Sequence, residues 1–251
     1  MTKPQLLINK QDNAAEVLIY DVVGQNMFGE GVSAAGFIDE LRQLDRHEPL
    51  DVRINSPGGS VFDGLTIYNL LSDHGGKVRV FVDGVAASIA SVIAMSGDEI
   101  TMAASARMMI HNPIGPSEMA FGTADDLREA ARETEKTAGL LDSLKSTLVD
   151  IYSSRTGNDA ATVSDWMNDE TWLTADDAEE HGFADGVTEA KRVAACFDLS
   201  MYRNAPSDIA DNANAKWRMK TAKNRIERDR IDAAARLRLR RRQMQLTTDE
   251  G

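Results

Sequence analysis

The chain has 251 residues, enough for one large domain or for a domain of about 190 to 200 residues with an appendage. Residues 1–200 carry 15 Lys and Arg against 33 Asp and Glu, a balance of −18, while residues 201–251 carry 13 against 7, a balance of +6; an acidic body therefore precedes a basic tail, which argues against nucleic acid as the main ligand of the body. The single Cys196 excludes an internal disulfide, and four scattered histidines offer no zinc-type spacing, so the chemistry is expected from side chains alone, with no metal or cofactor.

"EVLIYDVVG" (Glu16 to Gly24) reads as a strand, and "VSAAGFIDELRQL" as a helix capped by Ser33 with Phe37, Ile38, Leu41 and Leu44 at helical spacing. "LDVRINSPGGSVFDGLTIYNLLSDHGG" repeats the pattern: a strand, a Pro-Gly-Gly break and a helix carrying Leu65, Ile67, Tyr68, Leu70 and Leu71. In the third unit "KVRVFVDG" is the strand and "SIASVIAMSG" the helix, and "EITMAA" and "RMMIHNP" follow as two more strands. This alternation predicts an α/β domain with strands stacked in parallel. From Thr123 to Gly157 the pattern becomes one long helix, with Thr123 and Asp126 as its start signal and Leu127, Leu141, Leu144, Leu148 and Ile151 near one face. At over 30 residues it is predicted to project and to pack against something, such as another subunit. "VSDWMNDETWLTADDAEEHGFADGV" gives two short helices and a return strand near Ala184 to Val187. The expected domain limits are 1–195 for the globular body, 196–215 for a linker and 216–251 for a basic helical or disordered tail. No apolar run approaches 18 residues and no leader is evident, which predicts a cytoplasmic protein without membrane contact.

Two stretches carry chemistry. "GVAASIASVIAMSG" (Gly84 to Gly97) closes a strand and opens a short helix, placing Ser88 where backbone N–H groups lack intrahelical partners and negative charge is favoured. His111, ending an apolar run, is positioned to take a serine proton. In isolation these residues also read as a small packing serine and a strand-end histidine. "INSPGGSVFDG" is the second stretch: consecutive glycines present N–H groups unobstructed, as an oxyanion or peptide cradle needs, though "SPGG" also serves as a plain tight turn. A serine-histidine pair usually wants an acid to orient the imidazole. Asp169 and Glu170 are candidates, and Asp63, Asp83 and Asp98 lie near the same sheet edge.

In this order, "INSPGG", "GVAASIAS", "MMIHNP" and "ETWLTADDAEEHGFAD" resemble the ClpP family of self-compartmentalising serine peptidases, and most of all its phage and prophage head-maturation (prohead) relatives. The resemblance runs from roughly Val17 to Val187. It implies Ser88 as nucleophile, His111 as general base, and the N–H groups of Gly59 and Ile89 as oxyanion donors. Ungapped matching of "ETWLTA" puts Glu170 in the acid's slot, where the housekeeping enzymes carry aspartate, with Asp169 as the alternative. It also implies a ClpP/crotonase-like spiral of β-β-α units with a long handle helix, self-association into rings (commonly heptameric and stacked in pairs), and peptide substrates bound as an added strand. Two departures stand out: little sequence precedes the first strand for axial loops that dock an unfoldase ATPase, and residues 197–251 lie outside the family's core.

The expected function is a serine endopeptidase that processes phage capsid or scaffold proteins in the host cytoplasm or assembling prohead. The alternatives are an ATPase-dependent degradative core and a scaffold or capsid-assembly protein with an idle site. Nucleic acid enters only through the basic tail. The related acyl-CoA enzymes of crotonase fold do not require a serine and a histidine in these motifs.

Overall fold

Alternation sets the sheet. In β1 (Ala15–Ile19), β2 (Leu50–Ser56) and β3 (Val78–Ala87), Leu50, Val52, Ile54, Val78, Val80 and Val82 are buried while Asp51, Arg53, Arg79 and Phe81 between them are half-buried. A period of two residues puts the apolar set on one face and the charged set on the other. On the charged face Arg79 pairs with Asp51 at 2.6 Å, Arg53 holds Asp83 through two nitrogens, and the Arg53 guanidinium lies 5.4 Å over the Phe81 ring. The structure is a computed structural model and describes residues 14–25, 31–117, 120–189, 197–207 and 209.

Helices cover the apolar face. Ser33 caps α1 (Ala34–Leu41) by accepting from Gly36 N–H, and Ser60 caps α2 (Val61–Ser72) by accepting from Asp63 N–H. The short α3 (Ile89–Ala94) is buried at every position. Together with the strands these helices form one continuous core, in which Phe37, Ile67, Leu71, Ile89 and Ile93 are almost wholly excluded from solvent.

The sheet order is β1-β2-β3-β4-β7, all parallel, with β4 (Glu99–Ala103) and β7 (Gly186–Thr188) completing that path. β3 forks. Its first half, Arg79 to Val82, pairs with β4, and its last residues, Val85 to Ala87, pair with β5 (Arg107–Ile110). The fork places the end of β5 beside the end of β3. β6 (Thr171–Thr174) runs antiparallel to β5. The sequence reading passed over β6, because four residues between two helices carry too little period to register.

The long helix is α4 (Ala124–Thr156), 33 residues, or about 50 Å at the usual rise. Thr123 and Asp126 form a reciprocal capping box at its start, and Gly157 ends it in the left-handed conformation at φ 77°. Only Leu148, Val149 and Tyr152 are buried along it, so most of the helix stands off the body. α5 (Ala160–Asn168) and α6 (Ala175–Glu180) follow on either side of β6. No described helix is long and apolar enough to cross a membrane.

Residues 197–207 depart from the linker expected over 196–215. Phe197, Leu199 and Tyr202 are buried and pack on Val85, Ala87 and Met109, beside the partly buried Trp172. The reason is visible in β3: beyond Gly84 both of its faces are apolar, and the helices cover only one. Cys196 and the tail expected over 216–251 lie outside the described residues.

Candidate active site

Ser88 joins β3 to α3 with φ 56° and ψ −130°, a backbone conformation that costs a non-glycine residue on the order of 1 to 3 kcal/mol. It is held there from several directions. Its N–H donates to the Met109 carbonyl of β5 at 2.9 Å, and its own carbonyl accepts from Ser91 N–H at 2.9 Å. The buried Ser91 Oγ lies 2.6 Å from that same carbonyl, 3.0 Å from the Met109 carbonyl and 2.8 Å from the Tyr152 hydroxyl. Burial pushes the Tyr152 phenol well up, which keeps it neutral. A sharp, strained strand-to-helix turn of this kind lifts a serine hydroxyl out of the backbone where a substrate can reach it.

His111 leaves the end of β5, and its Nε2 lies 2.7 Å from Ser88 Oγ. This is the separation a general base needs. Burial holds the imidazole below its ordinary pKa of 6.5, with the charge of Glu170 pulling the other way. At neutral pH the ring is therefore uncharged and able to accept the serine proton.

The "SPGG" segment lies directly against Ser88. A Cβ on Gly58, at φ 93°, would sit 2.6 Å from the Ala87 carbonyl and 2.7 Å from Ser88 Cβ, so only glycine fits. Gly59, at φ 147°, lies across from Val23 in a parallel bridge made by Gly58 O and Ser60 N, which leaves the Gly59 N–H out of that bridge. The Ile89 N–H is in the first turn of α3, next to the nucleophile. These are the two N–H groups expected to face an oxyanion.

The candidate acids separate. Glu170 is the only other non-glycine residue at positive φ among those described, at 51°, and its charge acts on His111. Its carboxylate, however, is taken by the C-terminal segment: it accepts from Arg203 N–H at 3.0 Å and Asn204 N–H at 2.6 Å, and Trp172 Nε1 lies 3.4 Å away. Asp169 is the C-cap of α5, and its backbone carbonyl accepts from the Asn204 side chain at 2.7 Å. Neither carboxylate is hydrogen-bonded to His111. The remaining three are placed elsewhere: Asp63 accepts from Ala34 N–H, Asp98 from Val78 N–H, and Asp83 is bound by Arg53 and Tyr20. Among the described residues no cluster of His, Cys, Asp and Glu is arranged to hold a metal ion.

Tyr202 was not singled out from the sequence. Its ring meets that of His111 edge-on at 5.5 Å, and its hydroxyl donates to the Pro57 carbonyl at 2.5 Å. Burial pushes its phenol up to about 12, a hydrogen bond with Ser88 pulls it down, and the charge of Glu170 adds to the rise. A tyrosine in a polar stretch such as "DLSMYRNAP" gives no periodic signal that would mark it.

With this geometry in place, comparison with known proteins gives a consistent answer. The model of the Clp protease family matches residues 11–191. The ATP-dependent Clp protease proteolytic subunit of Porphyromonas gingivalis is 32% identical over 203 residues, covering 75% of this chain and 86% of that protein. The corresponding subunit 1 of Salinibacter ruber is 30% identical over 167 residues, covering 66% of each. Among solved structures, an N165D mutant of ClpP1 from Listeria monocytogenes superposes with a TM-score of 0.54 at 21% identity, over 70% of this chain and 92% of that one. That likeness is one of fold, the parallel α/β sheet and long helix described above. Residues 11–191 contain the forked sheet, the serine turn and the histidine beside it, and the chain belongs to the Clp protease family, a family of serine endopeptidases.

Proposed function

We propose that the chain is a ClpP-type serine endopeptidase in which Ser88 is the nucleophile and His111 the general base. The observation that carries this reading is the 2.7 Å contact between Ser88 Oγ and His111 Nε2 at a strained strand-to-helix turn. Ser88 Oγ attacks the scissile carbonyl as His111 takes its proton. The N–H groups of Gly59 and Ile89 receive the oxyanion, each worth on the order of 3 kcal/mol when removed singly. His111 then protonates the departing amine, and water releases the acyl group by the reverse route. Glu170, whose charge acts on the imidazole, is the orienting acid once its carboxylate is free. Substrate lies extended along Ser56 to Gly59 and the residues after His111.

Of the two settings for this chemistry, we favour a degradative core working in the cytoplasm with an ATPase partner over processing of phage head proteins. The relatives are ATP-dependent proteolytic subunits, and that name supports the former. The head-protein reading keeps the support of the motif resemblance alone. Ring assembly through α4 belongs to the same proposal.

The test is full-length protein with and without a Clp ATPase and ATP, on an unfolded protein and on a short peptide, with Ser88→Ala as the blank. The expected result is a fluorophosphonate adduct on Ser88, peptide cleavage that the blank lacks, and protein degradation that rises with ATPase and ATP. Cleavage persisting in the blank overturns Ser88. Protein cleavage indifferent to the ATPase, with capsid or scaffold protein cut at discrete sites, favours head-protein processing instead.

A further inference from the structure

Residues 197–207 do two things at the site at once. Phe197, Leu199 and Tyr202 bury themselves on Val85, Ala87 and Met109, the apolar face of β3 and β5 immediately behind the serine and the histidine. Tyr202 is the one that reaches the histidine. Its ring stands edge-on to His111 at 5.5 Å and to Trp172 at 5.9 Å, and its hydroxyl takes the Pro57 carbonyl, part of the strip along which an extended substrate would pair. The following two residues reach the acid. Arg203 and Asn204 direct their backbone N–H groups onto the Glu170 carboxylate at 3.0 and 2.6 Å, and the Asn204 side chain ties down the Asp169 carbonyl.

We propose that residues 197–207 are an inhibitory segment seated in the substrate site of their own chain, with Tyr202 standing where a substrate side chain goes and the Arg203 and Asn204 amides withholding Glu170 from His111. The inference rests on the peptidase reading above. It explains why Ser88 and His111 are hydrogen-bonded to each other while the Glu170 carboxylate is bonded to Arg203 and Asn204 instead. It also names the substrate class: a peptide must present a large apolar or aromatic side chain to displace Tyr202 from a surface of valine, alanine, methionine and tryptophan. Backbone amides, rather than a lysine or arginine side chain, are suited to this lock, because they are fixed by the segment's path and leave together when Tyr202 does.

The test uses full-length protein. The rate at which a fluorophosphonate labels Ser88 is followed by intact mass in the wild type, Tyr202→Ala and Asn204→Pro, the last removing one of the two amide donors. A site held closed most of the time reacts in proportion to its open fraction, so labelling in both variants is expected to rise by about tenfold or more. A synthetic peptide spanning Phe197 to Ile209, added to Tyr202→Ala, is expected to slow labelling again in competition with a chromogenic peptide. Should either variant lose cooperative melting, Tyr202→Phe carries the test; it keeps the ring, loses the hydroxyl's bonds to Pro57 and Ser88, and is expected to label faster by a smaller factor. Folded variants that label at the wild-type rate overturn the inhibitory role while leaving the peptidase intact. If no form is labelled above the Ser88→Ala blank, the peptidase reading falls, and this inference with it.

Discussion

Ser88 and Glu170 both hold a positive φ that side chains avoid, and both act on His111, the first through a hydrogen bond and the second through its charge. Strain of this kind persists only where the surroundings over-determine it, and at Ser88 the surroundings are the Met109 carbonyl, Ser91 and Tyr152. The imidazole between them titrates below 6.5 because burial disfavours its charged form more than Glu170 favours it. The folded protein thus binds fewer protons at His111 than the unfolded chain does between the lowered pKa and 6.5. Stability from this group is complete above 6.5 and declines as pH falls toward the lowered value. The acid limb of kcat/KM for peptide hydrolysis is accordingly expected to have its midpoint below 6.5. In Glu170→Gln the midpoint moves lower still, since the charge that supports the imidazolium is gone. A pH-rate profile of the two proteins decides this, and an upward move in Glu170→Gln would contradict it. Of these residues, Ser88 and His111 were legible because each sits at the end of a patterned segment. The engagement of Glu170 was not, because its partners are backbone amides more than thirty residues away.

At the scale of elements, the fork in β3 is what brings the serine turn and the histidine together. The glycine pair of "SPGG" closes the same corner from the β2 side, and there the space left is for hydrogen alone. Gly58→Ala is expected to lower the melting temperature, through backbone strain of about 1 to 3 kcal/mol, and to cut Ser88 labelling by at least about tenfold through displacement of the nucleophile. Normal labelling in that variant would show that the corner tolerates a methyl group. The strand-helix units, the caps at Ser33 and Thr123 and the stop at Gly157 could all be read from the sequence, since each is a local signal. β6 and the seating of residues 197–207 could not. Both depend on a partner strand face that exists only after the sheet has formed.

At the scale of the molecule, α4 carries much of its length clear of the body. No residue from 124 to 147 is buried, and Leu127 and Leu140 are each 49% exposed. In the proposed ring these leucines meet a neighbouring subunit. Leu127→Glu with Leu140→Glu is expected to shift the protein from ring to monomer in sedimentation velocity while its melting remains cooperative; an unchanged ring would move the contact elsewhere. The bareness of this helix has a second use. Helix without tertiary cover is marginal in water, so in a lone subunit the amides of residues 124–147 must exchange with solvent far faster than those around Tyr152. Deuterium uptake along one helix then becomes a gauge of assembly, reading subunit concentration at its free end and global unfolding at its anchored one.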